Sequence, residues 1–141
     1  MGDVVVGVDG SEGSRAALRF AYEEAGLRRC PLVVVTVWQY PVLTTLPAFG
    51  ALPPIEDLSG EAENSLRQVL DEEGVATTDE VDVQTVVAEG AAAAALIEAA
   101  HDADLLVVGS RGHGGFTGML LGSVSQHVVS HAPCPVVVVR H

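Results

Sequence analysis

Five short apolar runs, each dominated by valine or leucine, alternate with stretches of helical composition, and that alternation limits the fold more than any other feature. The runs are DVVVGVD (3–9), PLVVVTVW (31–38), VDVQTVV (81–87), DLLVVG (104–109) and PVVVVR (135–140). Near-continuous β-branched runs of this length are the mark of parallel strands buried on both faces. After the first comes SEGSRAALRFAYEEAGLRR, where Ala17, Phe20, Ala21 and Leu27 fall near one helical stripe and Gly26 weakens the end. Residues 56–73 have helical spacing with Gly60 near their start, 90–103 are helical on propensity, and SVSQHVVSHA precedes the last run. The order βαβαβαβαβ predicts an α/β fold: a five-stranded parallel, doubly wound sheet with helices on both faces, Rossmann-like in plan. At 141 residues and 48% apolar content, with no internal repeat and no linker, residues 1–141 read as a single domain.

Charge narrows the chemistry. The formal net charge is -12 and all seven basic residues are arginine. A chain without lysine has no Walker-type phosphate lysine, Schiff base or lysine general base. Strong acidity also disfavours nucleic acid and anionic lipid, both of which are bound through basic patches. No run approaches the roughly 18 uninterrupted apolar residues of a membrane span, and the start lacks the pattern of a signal peptide. The expectation is a cytoplasmic protein with small-molecule or protein partners, binding neither nucleic acid nor membrane.

If the first strand is central and the winding reverses after the third, the strand order is 3-2-1-4-5. Ligands of such sheets sit beyond the strand ends at the reversal, here between strands one and four. Asp9 and Gly109 then face each other across the crevice. From Gly109 the chain reads GSRGHGGFTGMLLGS, six glycines in fifteen residues. Ser123 and Gln126 have the S-x-x-Q spacing of a capping box, which starts a helix at Gly122 and Ser123. Free amides and the dipole at a helix start favour an anion. The loop is therefore expected to fold around phosphate: Gly109 and Gly112 allow close approach, Gly122 opens the helix, Ser123 gives a hydroxyl and Arg111 the charge. It has no G-x-x-x-x-G-K-[ST], and glycines 7, 10 and 13 do not make a dinucleotide fingerprint. Mononucleotide binding by another route is left.

Gly109, Gly112, Gly122 and Ser123 fit G-x2-G-x9-G-[ST], and with VVGVDGSEGS before them and GSVSQHVVSHAPCPVVVVR after, the whole chain resembles the universal stress proteins. The resemblance implies a homodimer of ATP-binding regulatory domains, joined through the fifth strand (135–140) and acting on a further protein partner. It assigns adenine and ribose to Asp9 and the backbone around Val8 and Val37. Val108 and Gly109 would line the nucleotide, with Gly112, Gly122, Ser123, Val124 and Ser125 on ribose and phosphates. The expected ligand is ATP with Mg2+. One departure is visible: Gly90 is followed by Ala91 where the family often has proline, which bears on the start of the third helix. Independently, PVVVVR is short, apolar and terminal, and such an edge strand is a liability unless paired.

His127 and His131 have the i,i+4 spacing of paired metal ligands, but no third ligand is evident and no metal site is expected. His113 reads as an exposed loop histidine. Ser110, Thr117, Ser123 and Ser125 offer hydroxyls without a nucleophile elbow, so no catalytic residue is expected. Cys30 and Cys134 begin strands two and five, three spacings or roughly 14 Å apart, too far for a disulfide and expected to be buried thiols. Residues 39–55, with Pro41, Pro47, Pro53 and Pro54, read as a lid or binding loop. Two alternatives stay open: a slow ATPase or self-phosphorylating enzyme in the same pocket, and a nucleotide-independent interaction dimer.

Overall fold

The computed structural model describes residues 2–39, 55–111 and 122–141. In chain order these form β1 (Val4–Gly7), α1 (Glu12–Arg28), β2 (Leu32–Trp38), α2 (Ile55–Glu73), β3 (Val83–Glu89), α3 (Ala92–Ala99), β4 (Leu105–Gly109), α4 (Ser123–His131) and β5 (Val136–Val139). All strands are parallel, in the order β3-β2-β1-β4-β5 that the alternation predicts. The winding reverses between β1 and β4, where Val4, Val5 and Val6 lie opposite Leu105, Leu106 and Val107.

Alternation along each strand divides the core into two layers. Val4, Val6, Leu32, Val34, Leu105 and Val107 face α1 and α2, meeting Ala17, Leu18, Ala21, Ala25, Leu66 and Val69. Val5, Val33, Val35, Leu106 and Val108 face the other way, onto Leu96, Ala100 and Val128 of the α3 and α4 side. The buried stripe of α1 is Ser14, Ala17, Leu18, Ala21 and Ala25, so small residues let it lie close to the sheet. Phe20 and Leu27 instead point outward, 37% and 74% exposed, correcting the stripe read from the sequence. The helix also runs past Gly26 to a cap at Arg29, whose φ of 55° is left-handed.

The ends of α3 and β3 differ from the sequence reading. α3 is shorter than residues 90–103 because Gly90 stands at φ 121° and Ala91 is extended, so the first helical residue is Ala92. Ala91 supplies no side-chain cap, and the chain turns again after Ala99. β3 begins two residues later than 81–87, since Thr77 accepts the Val83 amide through its hydroxyl (3.0 Å) and Val81 is turned inward to the core. α2 passes through Gly60 without a break. Its last turn is tied to α1 by Arg15 and Arg19, which both bond Glu73.

Both cysteines are free, Cys30 buried and Cys134 only half-buried, the second being less enclosed than expected. Burial pushes both thiols up, away from reactivity. Apart from its end residues Gln39 and Ile55, the expected binding loop lies outside the described residues, as do Gly112, His113 and Thr117. No helix among the described residues is long and apolar enough to cross a membrane.

Candidate functional site

The loop after β1 is built by short-range hydrogen bonds. The Asp9 carboxylate accepts from the Ser11 amide at 2.9 Å and from the Ser11 hydroxyl, closing an Asx-type turn. Ser11 then caps α1 by accepting the Ser14 amide, and the Ser14 hydroxyl returns to the Ser11 carbonyl at 3.0 Å. Asp9 thus finishes a strand and fixes the next turn, yet it stays exposed on the rim of the crevice.

On the facing side, α4 begins where the sequence places it but by a different cap. Gly122 is the N-cap, extended at φ -75° and ψ 171°, with no side-chain hydrogen bond to the first turn. Ser123 is already helical, so the S-x-x-Q box does not form with Ser123 as its cap. Two bonds place the cap: the Gly122 amide donates to the Ser110 carbonyl at 2.6 Å, and the Gly122 carbonyl accepts the Gln126 amide at 2.9 Å. Ser123, Val124 and Ser125 therefore form the first turn, where helix amides have no intrahelical partner. Ser125 turns its hydroxyl inward to the Gly109 carbonyl, locking α4 to the end of β4.

Ser110 is a junction. Only 4% exposed, it accepts from Gly122 through its carbonyl and donates its amide to the Val139 carbonyl at 2.9 Å. One residue thereby joins the start of α4 to the end of the edge strand β5.

Gly109 has a structural duty as well. A Cβ there would lie 2.7 Å from the Gly13 backbone, and a Cβ on Gly13 would lie 2.5 Å from the Arg111 carbonyl oxygen. The start of α1 and the end of β4 touch backbone to backbone, which sets the width of the crevice.

Between these walls is a cleft of about 190 Å³. Every expected site residue except Gly112, which is outside the described residues, lines it. Val8, Val37 and Val108 contribute apolar wall, Asp9 one rim, and Gly109, Arg111, Gly122, Ser123, Val124 and Ser125 the opposite end. Sequence reasoning missed Gly7, Ser11, Ser14, Val35, Ala92 and Leu96, which complete the lining. Ser11 and Ser14 were within reach of the same argument, since the turn after β1 borders the reversal point. Leu96 carried no such signal: its side chain sits over Gly7, 2.9 Å from where a Cβ would be, only because α3 crosses β1.

Chemically the cleft is divided. Val35, Val37, Leu96 and Val108 offer a flat apolar group a dry wall, while the α4 start and Arg111 offer an anion amides and charge. Asp9 is the one carboxylate that lines it among the described residues. No group of three or more His, Cys, Asp or Glu side chains among them is placed to hold a metal ion.

Fold and cleft together define a doubly wound α/β protein with a ligand-sized crevice at its topological switch point. A model of the Universal stress protein family matches residues 1–140, and the chain belongs to that family. A universal stress protein of Mycolicibacterium smegmatis is 41% identical over 140 residues, covering 97% of this chain and 45% of its own length. One from Mycobacterium tuberculosis is 39% identical over 137 residues, covering 97% and 45%. The chain thus spans less than half the length of these curated relatives. Among solved structures, universal stress protein UspA from Lactobacillus plantarum superposes with a TM-score of 0.78 at 26% identity, covering 99% of this chain and 97% of that one. A universal stress protein in complex with cAMP is 31% identical, with a TM-score of 0.64 and coverage of 98% and 95%. The Archaeoglobus fulgidus protein in complex with dAMP is 26% identical, with a TM-score of 0.63 and coverage of 98% and 97%.

Proposed function

We propose that the cleft binds an adenine nucleotide, ATP with Mg2+, and that the chain acts as a nucleotide-dependent regulatory module in a stress response. The observation that carries this reading is convergence: an apolar wall from β2, α3 and β4 and the start of α4 with Arg111 line one cleft. A base fits the first and phosphate the second. Two structural relatives hold cAMP and dAMP, ligands of the same chemical class. Asp9, bonded to Ser11 at the rim, suits a ribose hydroxyl better than it suits activation of water, so the reading is of binding without turnover. With no three-ligand cage among the described residues, Mg2+ would be held through phosphate oxygens and water.

The same reading includes a homodimer through residues 135–140. All four β5 valines are only half-buried, and Val124 and Val129 of the neighbouring α4 are 38% and 48% exposed. A second copy would cover this edge, and sedimentation that finds only monomer at every concentration would remove that part.

The nucleotide is tested by acid extraction of freshly purified protein with chromatography of the extract, beside a melting scan with Mg-ATP. An adenine nucleotide in the extract, or a raised Tm, is expected. Stabilisation should reach about 2.7 kcal/mol at a hundredfold excess over Kd. A folded protein that carries no nucleotide and gains no stability from ATP, cAMP or AMP would contradict the assignment.

A further inference from the structure

Helix α2 ends in Glu72 and Glu73, and its last turn holds no basic residue. Carboxylates there stand at the negative end of the helix dipole, which disfavours them unless cations face them. The cations come from α1. Arg15 donates from Nη1 to Glu73 at 3.3 Å and from Nη2 to Glu72 at 3.5 Å, and Arg19 also bonds Glu73. The third corner of the Arg15 guanidinium serves another element: Nε donates to the Gly10 carbonyl at 3.3 Å. Gly10, left-handed at φ 85°, is the middle of the turn in which Asp9 bonds Ser11, and Asp9 and Ser11 both line the cleft. The backbone amide of Arg15 holds the same turn, donating to the Ser11 carbonyl at 3.0 Å.

We propose that Arg15 is a positioning residue for the cleft, through which the end of α2 sets where Asp9 and Ser11 stand on its rim. A guanidinium is planar and rigid, so holding two of its corners fixes the direction of the third. The end of α2 is itself anchored: Gly74 is left-handed at φ 69°, and buried Val75 returns its amide to the Leu70 carbonyl at 2.9 Å. Any displacement of that last turn is passed to the rim through one side chain. The proposal rests on the adenine-nucleotide reading for what the rim binds, while the tie from α2 to Gly10 is independent of it.

Two measurements on the full chain test this. The first needs no ligand: the carbonyl-carbon resonance of Gly10, which reports the hydrogen bond from Nε, should move in Arg15→Ala and in Glu73→Ala. It should stay in Arg67→Ala, which breaks an exposed ion pair elsewhere on α2. The second is the Kd for Mg-ATP at a temperature where every variant is folded. Arg15→Ala should weaken binding about 3- to 10-fold, the range that one net hydrogen bond contributes. Glu73→Ala should act in the same direction and Arg67→Ala should have no effect. Asp9→Ala separates positioning from general loosening. If Arg15 acts through the rim, the double variant Asp9→Ala, Arg15→Ala binds no more weakly than Asp9→Ala alone, since residues in one network do not add. A Gly10 carbonyl unmoved in both variants, a wild-type affinity in Arg15→Ala, or losses that add in the double variant would each overturn the proposal. A Gly10 carbonyl that moves as expected in a protein that binds no adenine nucleotide would confirm the tie and overturn the nucleotide reading.

Discussion

Gly109 illustrates how a residue can be found for one reason and required for another. Its spacing to Gly112 and Gly122 marks it in the sequence as a place where phosphate approaches backbone. In the fold its missing side chain is needed by Gly13, whose carbonyl carbon and oxygen stand 2.7 Å from the position of a Cβ. Neither backbone can give way cheaply, because one belongs to β4 and the other to the first turn of α1. Gly109→Ala is expected to destabilise the protein by about 1–3 kcal/mol, the usual cost of forcing extra volume into a packed site. Urea unfolding measures it, and a change near zero would mean that the α1 start yields. The contact was not legible beforehand, since the partner glycine is distant in sequence and belongs to no shared motif. Ser123 teaches a related lesson. Its capping pattern located the helix, but the bond from Gly122 to Ser110, invisible in any local window, moved the cap back by one residue.

Elements were legible where periodicity and composition agreed, and less so where packing decided. Valine runs defined all five strands because a buried parallel strand leaves little room for polar residues. Polyalanine propensity overestimated α3, whose ends are set by the left-handed Gly90 and by the turn after Ala99. The clamp between α1 and α2 could not be read at all. Arg19, then Arg15, bond the Glu73 carboxylate and hold it below the usual glutamate range, and Glu73 in turn raises Arg15. A carboxyl group whose pKa is depressed on folding adds stability that is present above its unfolded pKa and lost as pH falls through the folded one. Glu73→Gln removes that contribution. The stability gap between wild type and variant should therefore be constant near neutrality and shrink on acidification below about pH 4.3, the ordinary glutamate pKa. Chemical unfolding at a series of pH values checks this, and curves that stay parallel down to pH 3 would show that the clamp carries no linkage. The gap itself should be small, as partly exposed ion pairs contribute at most about 1 kcal/mol.

At the scale of the whole molecule, strand order and cleft position follow from one fact, that the winding reverses between β1 and β4. The reversal point followed from element order once the first strand was taken as central, and it gathers Asp9, Gly109 and the α4 start from separate parts of the chain. What the fold adds is a connection between two proposed functions. Ser110 bonds the α4 cap with its carbonyl and the end of β5 with its amide, so the α4 end of the cleft and the edge strand share one buried residue. Occupancy at the first would be felt at the second by this route. The most direct test of the central claim is to titrate isotopically labelled protein with Mg-ATP and follow backbone amide resonances. The largest shifts are expected at Gly7 to Ser11, Val35 to Val37, Val108 to Arg111 and Gly122 to Ser125, with smaller ones at Val138 and Val139. Shifts confined to another surface, such as the groove beside Tyr22 and Val81, or no shifts at millimolar ATP, would contradict it.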